Sequence, residues 1–112
     1  PVLPDDKELL RGKCIIAIGS YMPEMREIPD AVLDLVDNVY IELPYACEES
    51  GDLSQPLASG KLTKDRVKLM HEYLVSGEKE IKEGQTTYFK SVGMGLFDVC
   101  IAQKLYEVAK EK

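Results

Sequence analysis

The stretch Cys14-Ile15-Ile16-Ala17-Ile18-Gly19-Ser20 is a continuous apolar run that ends in two small turn residues. Short runs of this kind are typical of strands that are buried on both faces of a parallel sheet. Two similar runs follow at residues 39–43 and 86–89, and helical patterns separate all three. Strands that alternate with helices predict an α/β fold with a short parallel sheet. A sheet of three strands has an open edge, which indicates part of a larger fold or a chain that a partner completes.

Helices are expected around these strands, at residues 5–11, 30–36, 44–49, 64–75 and 92–110. Thr63 has the hydroxyl of an N-cap for the fourth helix, and Gly77 follows the end of that helix. Pro56 and Gly60 favour a loop over residues 52–60. The last helix is apolar around more than one stripe, so we expect it to be buried on more than one side.

The composition limits the class of protein. With 112 residues, the chain is too short to hold a dinucleotide domain and a substrate domain together, since domains typically need roughly 100–150 residues each. Its formal net charge of −6 disfavours binding to nucleic acid. No apolar run approaches the roughly 18 residues of a membrane span, and the first residues lack the features of a signal peptide. We therefore expect neither nucleic acid nor a membrane as a partner.

The cysteines Cys14, Cys47 and Cys100 are odd in number and widely separated, and no CxxC pair exists. This pattern disfavours a disulfide framework and a zinc site. It predicts three small packing residues in a reducing compartment, and we expect a cytoplasmic location.

The loop after the first strand is a candidate ligand site, because open α/β sheets bind ligands outside the carboxyl ends of their strands. Gly19 would let a flat ring approach the backbone closely. Tyr21, Glu24, Arg26 and Glu27 add polar side chains. The alternative is an ordinary connection in which Arg26 pairs with a neighbouring acid.

The segment Phe89-Lys90-Ser91-Val92-Gly93-Met94-Gly95 is a second candidate, again between a strand and a helix. Ser91 can cap that helix, and the free amides behind it could hold an anion or a carboxamide oxygen. Gly93 and Gly95 each weaken a helix by about 1 kcal/mol relative to alanine, which indicates that something packs close to the first turn. A helix contact and a cofactor ring explain these glycines equally well.

The segment Glu48-Glu49-Ser50-Gly51-Asp52 gathers three carboxylates that could bind a cation or an amine. A solvated acidic loop is the alternative, and the ligand spacing of an EF-hand is missing, so we expect no metal site. The single histidine, His71, lies beside the apolar face of a predicted helix and is expected at the surface. The sequence contains no GxGxxG, no P-loop and no HExxH, so it has no usual means of binding a pyrophosphate.

Four ordered segments that together span the chain resemble the ornithine cyclodeaminase and mu-crystallin family. Gly19-Ser20-Tyr21-Met22-Pro23-Glu24-Met25-Arg26-Glu27-Ile28 is similar to that family's VGS-x-x-P-x-M-R-E-I/L segment. Glu48-Glu49-Ser50-Gly51-Asp52, followed by Pro56-Leu57 and Gly60, resembles its E-x-G-D segment. Thr87-Tyr88-Phe89-Lys90-Ser91-Val92-Gly93 resembles T-V-F-K-S-V/L-G, and Pro1-Val2-Leu3 resembles the P-V-L that follows an earlier strand.

This resemblance implies a dimeric NAD- or NADP-dependent enzyme about three times as long, with a Rossmann-type domain and a second domain for substrate binding and dimerisation. Residues 1–91 would be the C-terminal half of the Rossmann-type domain, without the GxGxxG half. Residues 92–112 would form a long helix that packs on the missing substrate and dimerisation domain. The fold would be a partial, three-layer Rossmann-like α/β fold, and the isolated chain would be inactive and bind the cofactor weakly or not at all.

The resemblance also implies roles for particular residues. Ser91 would contact the nicotinamide carboxamide, with Val92 and Gly93 beside it. Residues 18–20, Ile18, Gly19 and Ser20, would form the wall under the nicotinamide, and Glu49 would lie near the substrate pocket. Tyr21 stands where cyclodeaminases have a catalytic aspartate, so it is our candidate catalytic residue. This departure points to reductases of cyclic imino acids or ketimines, or to alanine dehydrogenase relatives, and a non-enzymatic binding module is the alternative.

Overall fold

A single parallel sheet organises the computed structural model of the chain, which describes residues 1–76 and 82–111. Its strands are β1 (Cys14–Ala17), β2 (Val39–Ile41), β3 (Val67–Leu69) and β4 (Thr87–Lys90). The helices are α1 (Lys7–Leu10), α2 (Asp30–Leu35), α3 (Ala46–Glu49), α4 (Gly51–Ser59), α5 (Met70–Ser76) and α6 (Gly95–Lys110). A 3₁₀ turn, Lys64–Arg66, precedes β3. The predicted parallel α/β architecture is confirmed.

The strand order β1-β4-β2-β3 places the last strand of the chain in the interior of the sheet. In this register Lys90 lies opposite both Ala17 of β1 and Ile41 of β2. The carboxyl ends of three strands therefore meet at one edge of the sheet. Loops that are far apart in the sequence begin there side by side.

The core lies on one face of the sheet, where α2 and α4 supply apolar side chains. Val32 of α2, Leu53 of α4 and Val39 of β2 have no exposed surface. On the opposite face, nothing in the described chain covers β1, and Ile16 is 64% exposed. The expectation that β1 is buried on both faces is therefore wrong for this chain, because only the residues that alternate with Ile16 face the core.

The prediction of a loop over residues 52–60 is wrong, because these residues belong to α4. Ser50 caps that helix by accepting a hydrogen bond from the backbone N–H of Asp52. Leu53 and Pro56 are buried in the core. N-capping and burial together outweigh the helix-breaking tendency of an internal proline. Gly60 then ends the helix with a positive φ of 83°.

The predicted helix over residues 64–75 is also wrong, because that segment divides into a 3₁₀ turn, the strand β3 and the short helix α5. Val67 and Leu69 pair with β2 at the edge of the sheet. The free energy gained by this pairing outweighs the helical preference of the local sequence. Thr63 makes no capping hydrogen bond. The predicted end of the helix at Gly77 lies outside the described residues. Within the described residues the sheet thus has four strands, one more than predicted.

The long last helix is confirmed, but it begins at Gly95 rather than at residue 92. Its described residues are all exposed, including Leu96, Ile101 and Leu105. Cys14 and Cys100 are exposed as well, so the prediction that they are packing residues is wrong; all three cysteines are free. No helix in the described part of the chain is both long and apolar enough to cross a bilayer.

Candidate functional site

The loops that follow β1, β4 and β2 share the carboxyl edge of the sheet, where open α/β sheets bind ligands. Ser91 donates its backbone N–H to the carbonyl of Ala17 over 3.0 Å, and this bond extends the pairing of β1 and β4 by one residue. The two segments predicted to contact a cofactor, residues 18–20 and 91–93, are therefore neighbours in space.

The β1 loop exposes the apolar Ile18 and buries the polar Ser20 at the carboxyl end of β1. Ile18 is 73% exposed, whereas Ser20 is buried and donates its hydroxyl to the carbonyl of Met25. The hydroxyl of Ser20 also lies 2.9 Å from that of Ser50, within hydrogen-bond distance. Ser20 therefore supports the loop from below, and Ile18 is the apolar surface that a ligand could contact.

The structure shows why a glycine is needed at position 19, which the sequence alone did not. Its backbone N–H donates to Glu27 Oε1 over 3.0 Å. A Cβ atom at Gly19 would overlap the carboxylate of Glu27. The glycine thus leaves room for an acid of its own chain, on the side of the backbone that a side chain would occupy.

The β4 loop is a tight turn around Gly93, whose φ is +93°. Ser91 Oγ accepts a hydrogen bond from the backbone N–H of Gly93 over 3.1 Å. The predicted role of Ser91 as a helix cap is wrong, because α6 begins four residues later and has Met94 at its N-cap. Apart from its chain neighbours, no described residue lies within 4 Å of the place where a Cβ of Gly93 would be, so the turn leaves open space beside the half-buried Val92.

Two residues that the sequence did not single out hold this turn from the β2 side. Glu42 is buried, and its Oε1 accepts the backbone N–H of Val92 over 2.8 Å. The hydroxyl of Tyr45 donates to the carbonyl of Gly93. Partial burial and the charges of Glu42 and Glu49 raise the pKa of Tyr45 above its usual value. A charged residue that directly follows the apolar strand β2 was the available signal for Glu42.

A buried ionic cluster lies beneath the same edge. The side chain of Lys90 has no exposed surface, and its Nζ lies 3.2 Å from Asp52 Oδ2 and 3.9 Å from Glu27 Oε1. Asp52 is also buried, so it does not belong to the solvated acidic loop that the sequence suggested. Burial, followed by the charges of Asp52 and Glu27, strongly raises the pKa of the nearby Tyr88 phenol. The signal for this cluster was the single lysine at the end of an otherwise uncharged strand.

The remaining candidates lie in more exposed positions. Tyr21 is 60% exposed in the β1 loop. Glu49 is exposed at the end of α3, close enough to Tyr45 for its charge to raise the pKa of that phenol. Arg26 forms an ion pair with Asp30, as the alternative interpretation of the β1 loop expected. His71 is exposed, as predicted.

Comparison with known proteins agrees with this arrangement. The sequence profile of the ornithine cyclodeaminase/mu-crystallin family matches residues 1–112, the whole chain. A Delta(1)-pyrroline-2-carboxylate reductase of Bacillus cereus is 35% identical over 109 residues, which are 95% of this chain and 34% of that protein. The chain thus spans about a third of the length of the curated relatives that it matches.

Two solved structures share the fold. A probable ornithine cyclodeaminase from Bordetella pertussis Tohama I has a TM-score of 0.72 and 28% identity, over 91% of this chain and 33% of that one. The Thermococcus litoralis Delta(1)-pyrroline-2-carboxylate reductase, solved with NADH and L-proline, has a TM-score of 0.73 and 23% identity, over 90% of this chain and 32% of that one. The predicted Rossmann-like fold is therefore confirmed.

Proposed function

Since the chain belongs to the ornithine cyclodeaminase/mu-crystallin family, we propose that it is the C-terminal portion of an NAD(P)-dependent enzyme that reduces a cyclic imino acid. Pyrroline-2-carboxylate is the proposed substrate, because reductases of that compound are among the relatives at 35% identity. The observation that carries the proposal is the pairing of β1 with β4, which brings residues 18–20 and 91–93 together at the carboxyl edge of the sheet.

The residues at this edge fit the nicotinamide end of such a cofactor. Ile18 offers an exposed apolar surface for a flat ring, and the turn at Gly93 in the neighbouring β4 loop leaves open space. The hydroxyl of Ser91 accepts the N–H of Gly93 and keeps its own proton, which can be donated to a carboxamide oxygen beside Val92 and Gly93. When bound, the reduced nicotinamide supplies a hydride to the carbon of the imine. The sequence has no GxGxxG, so the isolated chain is expected to bind NADH and NADPH weakly or not at all.

The chain's own contribution is to orient the reactants. Glu42 and Tyr45 hold the backbone of the Gly93 turn through Val92 N–H and Gly93 C=O. Tyr21 is exposed in the adjacent loop, and we assign it the polar contact with the substrate that the position of a cyclodeaminase aspartate suggests. Glu49, exposed at the end of α3, is the second proposed substrate contact.

The domain assignment follows from the same proposal. Residues 1–91 are assigned to the C-terminal half of a Rossmann-type domain, and residues 92–112, which contain α6, are assigned to packing on a substrate and dimerisation domain. The exposed apolar side chains of α6, among them Leu105 at 65%, support this packing. A homodimer is the proposed assembly, and the three free cysteines support a reducing compartment such as the cytoplasm.

The test is turnover by the complete protein that contains this chain. We expect pyrroline-2-carboxylate to consume NADH or NADPH, and we expect no ammonia from L-ornithine. Ser91→Ala should raise the KM for the reduced cofactor about threefold to tenfold, which is the loss of affinity expected when one neutral hydrogen bond is removed. Ser59→Ala, which removes a hydroxyl from the C-terminal end of α4, is the matched control. Cofactor binding without any turnover would instead support a binding module of the crystallin type.

A further inference from the structure

Lys90 occupies an unusual position for a lysine, because it ends the interior strand β4 and its side chain is fully buried. Buried ammonium groups are costly unless charges of opposite sign surround them. Here the neighbours are Asp52 at the start of α4, 3.2 Å away, and Glu27 in the β1 loop, 3.9 Å away. The lysine thus joins three separate segments of the chain at the edge where the proposed cofactor binds.

Each of the two acids uses its carboxylate to hold the backbone of the β1 loop. Asp52 Oδ1 accepts the N–H of Glu27 over 2.8 Å and the N–H of Ile28 over 3.0 Å. Glu27 Oε1 accepts the N–H of Gly19 over 3.0 Å. The loop is therefore fixed near its beginning and near its end by carboxylates that face one ammonium group.

Stability alone gives a weak reason for this arrangement, because apolar side chains of similar volume often replace a buried ion pair without loss. The loop that the cluster fixes contains the wall residues Ile18 and Gly19, and Lys90 is bonded covalently to Ser91. Resting on the function proposed above, we propose that Lys90 is a positioning residue. Through Asp52 and Glu27, it sets the β1 loop relative to the Ser91–Val92–Gly93 turn.

The consequence of removing the ammonium follows from the charges. Glu27 would then lose the cation that draws its carboxylate inward, whether or not Asp52 kept its own charge. Glu27 is the freer of the two, with 24% of its side chain exposed, so it would turn toward solvent. That movement would release the N–H of Gly19, and the wall under the nicotinamide would become mobile while the core stayed folded.

The test uses two variants of the complete protein. Glu27→Gln keeps the acceptor for Gly19 but removes the attraction to Lys90, and it alters a partly exposed residue. Lys90→Met/Asp52→Asn removes both charges of the buried pair and keeps an amide oxygen for the N–H groups of residues 27 and 28. Lys7→Met, which breaks the pair with Asp34 away from this edge, is the matched control.

Two measurements are made on each variant. Hydrogen exchange at the Gly19 amide is expected to be about tenfold faster in Glu27→Gln and in Lys90→Met/Asp52→Asn, with exchange of the core strands unchanged. The kcat for imine reduction is expected to fall about tenfold or more, because small misplacements of reacting groups are costly. The KM for the cofactor should change less than threefold, because its phosphates bind elsewhere in the proposed protein.

Exchange at Gly19 equal to wild type in both variants would overturn the proposal, whatever the activity. Wild-type kcat in a folded Lys90→Met/Asp52→Asn protein would also overturn it. If the unmodified complete protein showed no turnover, the proposed function would fail separately, and the exchange measurement would still decide whether Lys90 positions the loop.

Discussion

Replacing Gly51 with alanine should destabilise the protein by about 2–4 kcal/mol, although alanine is the better helix former by about 1 kcal/mol. Gly51 is the first residue of α4, and its φ is not positive, so local conformation alone would favour alanine. A Cβ at this position, however, would overlap the carbonyl oxygens of Pro23 and Met25. The backbone of a neighbouring turn cannot give way as a flexible side chain can.

The magnitude follows from what must move. Overpacking against a fixed backbone costs about 1–3 kcal/mol. Shifting the turn also strains the bond from Gly51 N–H to Met22 C=O, at 3.0 Å, and the bond from Gln55 Nε2 to Pro23 C=O, at 2.9 Å. Each of these bonds contributes about 0.5–1.5 kcal/mol. The helix-propensity gain offsets part of this cost, which leaves a net loss.

The assay is equilibrium urea unfolding followed by circular dichroism, with every variant in the same protein background. Gly95→Ala is the matched control, because Gly95 is also the first residue of a helix, yet no described residue outside that stretch of chain lies within 4 Å of its missing Cβ. We expect this control to be neutral or stabilised by up to about 1 kcal/mol. If Gly51→Ala proved as stable as Gly95→Ala, the close approach of the 23–25 turn to α4 would be refuted.

Three further outcomes are expected. Tyr88→Phe should stabilise the protein by about 1 kcal/mol, because the hydroxyl is buried without a hydrogen-bond partner among the described residues. Burial raises the pKa of Tyr88 in the folded protein above its usual 10.0, so the unfolded chain loses this proton first as the pH rises. Above pH 10.0 the wild type should therefore lose stability through Tyr88, and Tyr88→Phe should not. Hydrogen bonds from Lys61 and Lys7 hold the pKa of Asp34 below its usual 3.8. Wild type should therefore be more stable than Asp34→Asn by at most about 1 kcal/mol above pH 3.8, and this difference should vanish as the pH falls further. Urea titrations at a series of pH values measure the difference. Leu105→Glu should change the unfolding free energy of the isolated chain by less than about 0.5 kcal/mol, because Leu105 is exposed there. In the complete protein it should impair assembly, as measured by sedimentation. Unchanged assembly would contradict the proposed packing of α6.

The candidate site was predictable in part, because turn residues after apolar strands are a local signal. Gly19 and Ser20 after β1, and Ser91 and Gly93 after β4, were identified in this way, and the structure brings the two loops together. The details of Ser91 were not predictable. Its hydroxyl closes the turn at Gly93 instead of capping α6, because the positive φ of Gly93 delays the start of the helix.

The prediction of secondary structure was wrong where tertiary contacts compete with local conformational preference. Residues 67–69 have a helical pattern, but they pair with β2 at the sheet edge. Pro56 suggested a loop, but burial of its helix against the core compensates for the proline. In both segments the deciding energy comes from residues that are distant in the sequence.

The sequence by itself determined the alternation of strands and helices, the positions of the two candidate loops and the family. These properties depend on periodicity and turn residues, which act over a few neighbouring positions. Only the tertiary structure decided that β4 lies between β1 and β2, and hence that Lys90 meets Asp52 and Glu27 beneath the site. The order of strands in a sheet depends on contacts across the whole chain, so the partners of a buried charge become known only when the sheet has formed.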